Sequence, residues 1–489
     1  MTANCQWPAR NLRSFTDAGA AVARISHIYD TGARIVRERF ERFVKGERGP
    51  DPEPLEAYYP YLGLTVGQAE LVRDARPSYG TVSDAGSYGT TLTRPDLLAG
   101  YYHTQISHLL GNHGVPVVVG VSDRQLPLSF VVEEATADIS VDDVRDMEAL
   151  FRLPDLANID DTIANGTHTP GPGEPRPLAL FTAERVDLAI NRLQHYTATS
   201  AEHFQRFVLF TNYQRYVEEF LDHAHAEVAR GETYDALVEP GDVITPKGGR
   251  ARDSGEPPMH LPQMPAYHLT RADRDGITLI NIGIGASNAK TITDHLAVIR
   301  PHCWLMIGHC GGLRRSQMLG DYVLAHAYIR EDHVLDQDLP VWIPVPTIAE
   351  VQVALQEAVA RITGLRGPDL KARMRTGTVA TTDNRNWELR FSELFERFSQ
   401  SRAIAVDMES ATIAANGFRL RVPYGTLLCV SDKPMHGEIK LRGMANAFYR
   451  ERISQHMKIG LEAVRILREG GVDQLHSRKL RSFHEPPFR

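Results

Sequence analysis

At 489 residues the chain is too long for one ordinary core, so two domains are expected. Its 42% hydrophobic and 24% charged residues are the balance of a globular protein, and a net charge of −7 excludes the basic footprint that nucleic-acid binding asks for. No apolar run approaches the ~20 residues of a membrane span, and Met1 to Arg10 is too mixed and polar for a signal-peptide core, so a cytoplasmic protein is expected.

In chain order, Ala20 to Lys45 carries apolar residues at helical spacing with charges on the other face. Asp84 to Pro95 sets small hydroxyl-bearing residues around glycines beside Arg94, which reads as a hairpin turn first and a phosphate cradle second. Val117 to Val121 and Leu128 to Val132 are strand-like. Residues 1–165 therefore form a mixed α/β domain. Asn158 to Pro177 is rich in Asp, Thr, Gly and Pro, which places a linker at 166–182 and a second domain over 183–489.

In that second domain, Ala183 to Leu193 and Tyr213 to Val228 read as helices and Phe207 to Phe210 as a short strand. A polar insertion from Pro246 to Pro265 opens Lys247-Gly248-Gly249-Arg250-Ala251-Arg252. Its cations could meet a phosphate, although a solvated charge run is the weightier reading. Thr278 to Ile282 is a strand running into Gly283-Ile284-Gly285, Lys290 to Ile299 is the next helix, and Cys303 to Ile307 the next strand. Strands alternating with helices argue a mostly parallel, twisted α/β sheet flanked by helices. The cysteines, Cys5, Cys303, Cys310 and Cys429, form no C-x-x-C pair, and the three internal ones read as small buried hydrophobes.

The carboxyl ends of strands in such a sheet are where ligands bind, and two acids arrive there. Ile404-Ala405-Val406 leads to Glu409 and Thr426 to Val430 leads to Asp432. A carboxyl buried at a strand end has its pKa raised by desolvation and suits a general acid. Plainer readings exist for both. Ser431-Asp432 could cap the next helix or turn, and Glu409 could be a helix-start residue favoured by the macrodipole. Gly283-Ile284-Gly285-Ala286-Ser287 could meet a ligand or be only a tight strand-to-helix turn, and Gly308-His309-Cys310-Gly311-Gly312 reads as a second such turn.

Met408-Glu409 and Ser431-Asp432 resemble the paired motifs of the nucleoside phosphorylase and nucleosidase superfamily, which cleaves N-glycosidic bonds. Asn281 to His295, Trp304 to Leu313, Thr381 to Glu388 and His476 to Arg489 are similar in wording to its AMP nucleosidase family. The resemblance implies that Glu409 grips the ribose hydroxyls above Met408, and that Asp432, supported by Ser431, faces N7 of the purine. It implies that the backbone at Gly285 and Ser287 and the side chain of His309 border the ligand. Arg215 and Arg385 are then phosphate candidates, although Arg215 could equally pair with Glu218 or Glu219 on its own helix. His195 would reach the 5′ end of a neighbouring subunit's nucleotide, and Trp387 would stack on adenine or serve as core. The implied activity is hydrolysis of AMP to adenine and ribose 5-phosphate. No metal or organic cofactor is implied for the chemistry. Mg-ATP is implied as activator and inorganic phosphate as inhibitor through a regulatory N-terminal domain, in a homohexamer. Two alternatives stay open. One is a phosphorylase on the same scaffold, disfavoured because Met306 and His309 replace the Arg and the Ser or Thr that hold free phosphate. The other is a non-catalytic nucleotide sensor, disfavoured by the presence of both acids.

Overall fold

The computed structural model describes residues 6–47, 55–71, 79–132, 141–249, 254–437, 446–471, 473–475 and 480–489. Cys5, the Arg250-Ala251-Arg252 part of the cationic run and residues 476–479 of the tail lie outside them. The chain forms two compact units, Met1–Asn191 with Arg481–Arg489, and Arg192–Leu480.

The first unit contains β1 (Ala9–Phe15), α1 (Ala18–Val44), β2 (Tyr58–Val66), β3 (Gly86–Thr91), α2 (Pro95–His113), β4 (Val117–Gln125), α3 (Val141–Leu150), α4 (Thr162–Asn165) and β5 (Arg176–Pro177). Asp17 starts α1 by accepting the Ala20 N–H at 2.7 Å, one of the orphan donors of a helix start. The helix then buries Ala21, Ile25, Ile28, Tyr29, Gly32, Ala33, Val36, Phe40 and Phe43, a stripe at three- and four-residue spacing. That stripe faces a sheet of order β1-β4-β2-β3-β5. Two expectations change here. Leu128–Phe130 is a single 3₁₀ turn, and Asp84 to Pro95 is mainly strand β3, paired antiparallel with β2, leading into α2. The unit boundary also differs from the expected linker. Residues 176–177 pair with β3 as β5, and the division falls after Asn191, inside α5 (Ala183–Thr197). The composition of 166–182 marks irregular backbone rather than a break between cores.

The second unit continues with β6 (Phe207–Thr211), α6 (Gln214–Arg230), β7 (Ala236–Glu239), β8 (Val243–Pro246), β9 (Ala266–Thr270), β10 (Ile277–Asn281), α7 (Ala286–Leu296), β11 (Cys303–Gly312), β12 (Tyr322–Glu331), α8 (Ala349–Thr363), α9 (Gly367–Arg373), β13 (Met374–Thr382), α10 (Phe391–Gln400), β14 (Ala405–Asp407), α11 (Ser410–Leu420), β15 (Tyr424–Asp432) and α12 (Asn446–Gly470). Its ten strands run β14-β13-β12-β15-β11-β6-β10-β9-β7-β8. The centre, β10-β6-β11-β15, is parallel, as the strand–helix alternation requires, and antiparallel pairs join the flanks. Because β14 also pairs with β11, the five strands β11, β15, β12, β13 and β14 close into a ring.

Glycines at the end of β11 carry that closure. Gly308 to Gly312 is not a turn but the continuation of the strand, with Gly311 opposite Val406 and Gly312 opposite Ala405. A Cβ on Gly312 would stand 2.9 Å from Cγ1 of Val430, too close for any other residue without a shift. Cys303, Cys310 and Cys429 are free and buried, as expected. No helix among the described residues is long and apolar enough to cross a membrane.

Candidate active site

The ring brings both motif acids to one place. Gly311 of β11 pairs on one side with Val406, three residues before Glu409, and on the other with Asp432. Between Cys310 and Gly311 the β11–β15 register slips, so that Cys310 faces Val430 and Gly311 faces Asp432. Ser431 is the extra residue. A bulge of this kind re-aims the side chains beside it, and the Ser431 hydroxyl donates to Asp432 Oδ1 at 2.7 Å. The 3₁₀ turn that follows at Pro434–His436 has no side-chain cap, so the helix-capping reading of Ser431-Asp432 is not what the structure contains.

Glu409 sits at the N-cap of α11, yet its carboxylate leaves the helix. Oε1 accepts the Gly285 N–H at 2.8 Å and Oε2 accepts Nδ2 of Asn212 at 2.9 Å. One buried side chain thereby ties together the ends of β6, β10 and β14. Gly285, the N-cap of α7 with φ +120°, presents its N–H in a backbone conformation that suits glycine. Capping of α11 falls to Asp407 instead. It accepts the Ser410 N–H at 2.9 Å and the Ser410 hydroxyl on Oδ2, and the Thr381 hydroxyl at 2.5 Å on Oδ1.

Electrostatically the buried pair is the unusual part. Burial raises the pKa of Glu409, and the nearby Asp407 carboxylate pushes it further. Burial also raises Asp407, against the opposing pull of its Ser410 and Thr381 hydrogen bonds. The sequence suggested burial at Asp432. The structure leaves Asp432 half-buried at the strand end and buries Glu409 completely.

The remaining candidates separate. Met408 is half-buried beside Glu409, and Ser431 is buried. His309 lies in β11 with its ring 5.4 Å from those of both Tyr213 and Tyr216. Arg215 is half-buried in the first turn of α6, three residues beyond Asn212. Ser287 is exposed in the first turn of α7, and Arg385 is exposed after β13. Trp387 belongs to an apolar cluster with Leu313, Ala380, Leu394, Phe398, Ala403 and Val406, its ring 5.8 Å from that of Phe398, so of its two readings the structure gives core. His195 is exposed near the end of α5 with its ring against Tyr196. Among the described residues no hydrogen bond links His195 to the Glu409 cluster. Asn212 and Asp407 were not anticipated. Asn212 had a usable signal, as the polar residue directly after strand β6. The capping role of Asp407 had none.

The arrangement offers a carboxylate with lone pairs to spare, an acid at a neighbouring strand end and a backbone N–H at a helix start. Comparisons with known proteins place the chain in a family. Residues 20–175 match the family described as bacterial AMP nucleoside phosphorylase N-terminus, and residues 251–465 match the phosphorylase superfamily. The chain is 48% identical over 477 residues to the AMP nucleosidase of Escherichia coli (strain K12), covering 96% of this chain and 98% of that one. The chain belongs to the AMP nucleosidase family. As a member of that family it is also 23% identical over 218 residues to a guanosine phosphorylase of Halorubrum lacusprofundi, covering 44% of this chain and 86% of the other. A crystal structure of AMP nucleosidase from Bacteroides thetaiotaomicron aligns at 30% identity with a TM-score of 0.43, covering 58% of this chain and 98% of that one. The AMP nucleosidase family thus accounts for both units of the chain, the superfamily for the second alone.

Proposed function

We propose that this protein hydrolyses the N-glycosidic bond of AMP to adenine and ribose 5-phosphate, and so serves AMP control and purine salvage. The observation that carries the mechanism is the buried Glu409 carboxylate, held by the Gly285 N–H and Asn212, three residues beyond Val406, which shares Gly311 as a pairing partner with Asp432. A carboxylate has about four acceptor sites. Two are used inside the protein, which leaves acceptors for the 2′- and 3′-hydroxyls of a ribose.

Bond cleavage needs a neutral leaving group. Asp432, oriented by Ser431, protonates N7, and the C1′–N9 electron pair returns to adenine. The ribosyl fragment gains oxocarbenium character, which Glu409 favours by accepting from the ribose hydroxyls, and water attacks C1′ from the far face. Arg215, near the start of α6, is the candidate for the 5′-phosphate, since an Arg fork suits phosphate and a helix start favours anions. His195 reaches that phosphate from a neighbouring subunit of a homohexamer. The first unit carries regulation, with Mg-ATP activating and inorganic phosphate inhibiting, in the cytoplasm.

Incubating the protein with AMP, adenosine, IMP and GMP, with and without Mg-ATP, and identifying the released base and sugar tests the reading. Adenine with ribose 5-phosphate from AMP supports it. A ribose 1-phosphate formed from a nucleoside, or nucleotide binding with no base released, overturns it.

A further inference from the structure

The mechanism above leaves the attacking water without a base, and one group beside the site has no role in it. His309 lies three residues from the end of β11, next to Gly308, where a Cβ would stand 3.2 Å from Oδ1 of Asn212, the residue that holds Glu409. Its ring stands 5.4 Å from those of both Tyr213 and Tyr216 at the start of α6. Behind it lies a closed polar contact. The Tyr216 hydroxyl is 2.7 Å from Nδ1 of His456 on α12, and the His456 ring packs against Tyr322, whose hydroxyl donates to Gln455 at 2.9 Å. Tyr216, Tyr322 and His456 are buried.

Burial pushes the His456 pKa down to about 3, with His309 adding to the effect, and raises that of Tyr216 well above the usual tyrosine range. Both groups therefore stay neutral across the working pH range, and neither can carry a proton onward. Their part is to hold rings in place. Among the described residues, the other titratable groups near His309 are Tyr213, whose ring is 5.4 Å away, Cys429, its partner on β15, and Cys310, the next residue along β11. Burial raises the pKa of both thiols, so they stay protonated at working pH.

Strand geometry sets the spacing. His309 is two residues from Gly311, which pairs with Asp432. At about 3.3 Å per residue along β11 and about 4.8 Å across to β15, the two backbones are roughly 8 Å apart. That backbone spacing lets one bound nucleotide lie within reach of side chains from both strand ends.

We propose that His309 is the catalytic base for water, and that Tyr216 and His456 are positioning residues that fix its ring. The proposal rests on the AMP-hydrolysis reading. In the step, an O–H bond of water breaks and its proton passes to the His309 imidazole while the O–C1′ bond forms. The C1′–N9 bond breaks, its pair goes to adenine, and N7 takes the Asp432 proton. The sum is AMP plus water to adenine plus ribose 5-phosphate, and the His309 proton returns to Asp432 through solvent.

The test uses the full chain, with adenine release from AMP as readout and folding checked by circular dichroism. His309→Gln should lower kcat by about 10²–10⁴-fold, the range of a lost general base, with KM within a few-fold of wild type and the acidic limb of the kcat–pH profile gone. His309→Asn serves should the glutamine variant fold poorly. Tyr216→Phe, which keeps the ring and loses the tie to His456, should lower kcat by about tenfold and move the acidic limb with KM unchanged. A His309 variant with kcat within threefold of wild type, or with lower kcat and an unaltered pH profile, overturns the proposal. Wild-type release of adenine and ribose 5-phosphate in the same assay separates that failure from a failure of the AMP reading.

Discussion

Replacing Glu409 by Gln tests the sugar anchor through its own hydrogen-bond count. The carboxylate accepts from the Gly285 N–H at 2.8 Å and from Asn212 at 2.9 Å, which leaves acceptor positions for two ribose hydroxyls. Glutamine keeps one acceptor oxygen and puts an NH₂ group where the second stood. The Gly285 donor is fixed backbone and claims the oxygen, whereas the Asn212 amide can turn over to meet the NH₂. The fold is therefore retained. The nucleotide loses charge-assisted bonds worth about 1.5–3 kcal/mol each. With two hydroxyls engaged, kcat/KM for AMP should fall by about two to four decades, at one decade per about 1.4 kcal/mol. For 2′-deoxy-AMP only one bond remains to be lost, so the decrease should be about half as large on the logarithmic scale. Removing a buried carboxylate whose pKa burial has raised should also make the variant gain stability relative to wild type as pH rises. Steady-state adenine release on both substrates, with thermal melts at pH 6 and pH 8, measures all of this. Equal losses on AMP and 2′-deoxy-AMP would refute the ribose role and make Glu409 a structural tie between strand ends.

Arg215→Ala should weaken AMP by one to two decades in kcat/KM, from one charge-assisted contact of about 1.5–3 kcal/mol, and leave turnover of adenosine, which lacks the phosphate, unchanged. Equal effects on the two would assign Arg215 to the scaffold. In the first unit, buried Asp187 accepts from Tyr59 at 2.6 Å and Thr93 at 2.8 Å, and burial pushes its pKa up to about 7. With its folded pKa above the unfolded value of about 3.9, the stability linked to its proton is full below pH ~4 and is lost as pH rises through about 7. Melting temperatures of wild type should drop further between pH 4 and pH 8 than those of Asp187→Asn, and parallel curves would contradict this. Asp432→Asn should keep AMP affinity while kcat falls by about two to four decades, and turnover near wild type would remove Asp432 from the chemistry.

Much of this was legible in local sequence. Phe207–Phe210, Thr278–Ile282 and Cys303–Ile307 are strands because they are buried on both faces and read as apolar runs, and the two motif acids follow two such runs. What escaped was non-local. Gly308 to Gly312 looks like a turn because glycine is usually a breaker. Here the glycines belong to a strand that pairs with β14, where a Cβ on Gly311 would stand 3.1 Å from Cγ1 of Val406, a partner nearly a hundred residues away. The same closure decides which acid is buried. Strand endings predicted two equivalent carboxyls, but only Glu409 is sealed beneath the Gly285 turn and Asn212. Nor could composition distinguish the irregular Asn158 to Pro177 segment from a linker, since Pro and Gly report loose backbone and not whether that backbone packs on a sheet.

The most direct measurement is cleavage of AMP in ¹⁸O-labelled water, with phosphate absent and then present, followed by mass analysis of the sugar and the base. The account predicts unlabelled adenine and ribose 5-phosphate carrying one ¹⁸O at C1, in both conditions. An unlabelled ribose 1,5-bisphosphate that appears only with phosphate, or no release of adenine, would contradict it.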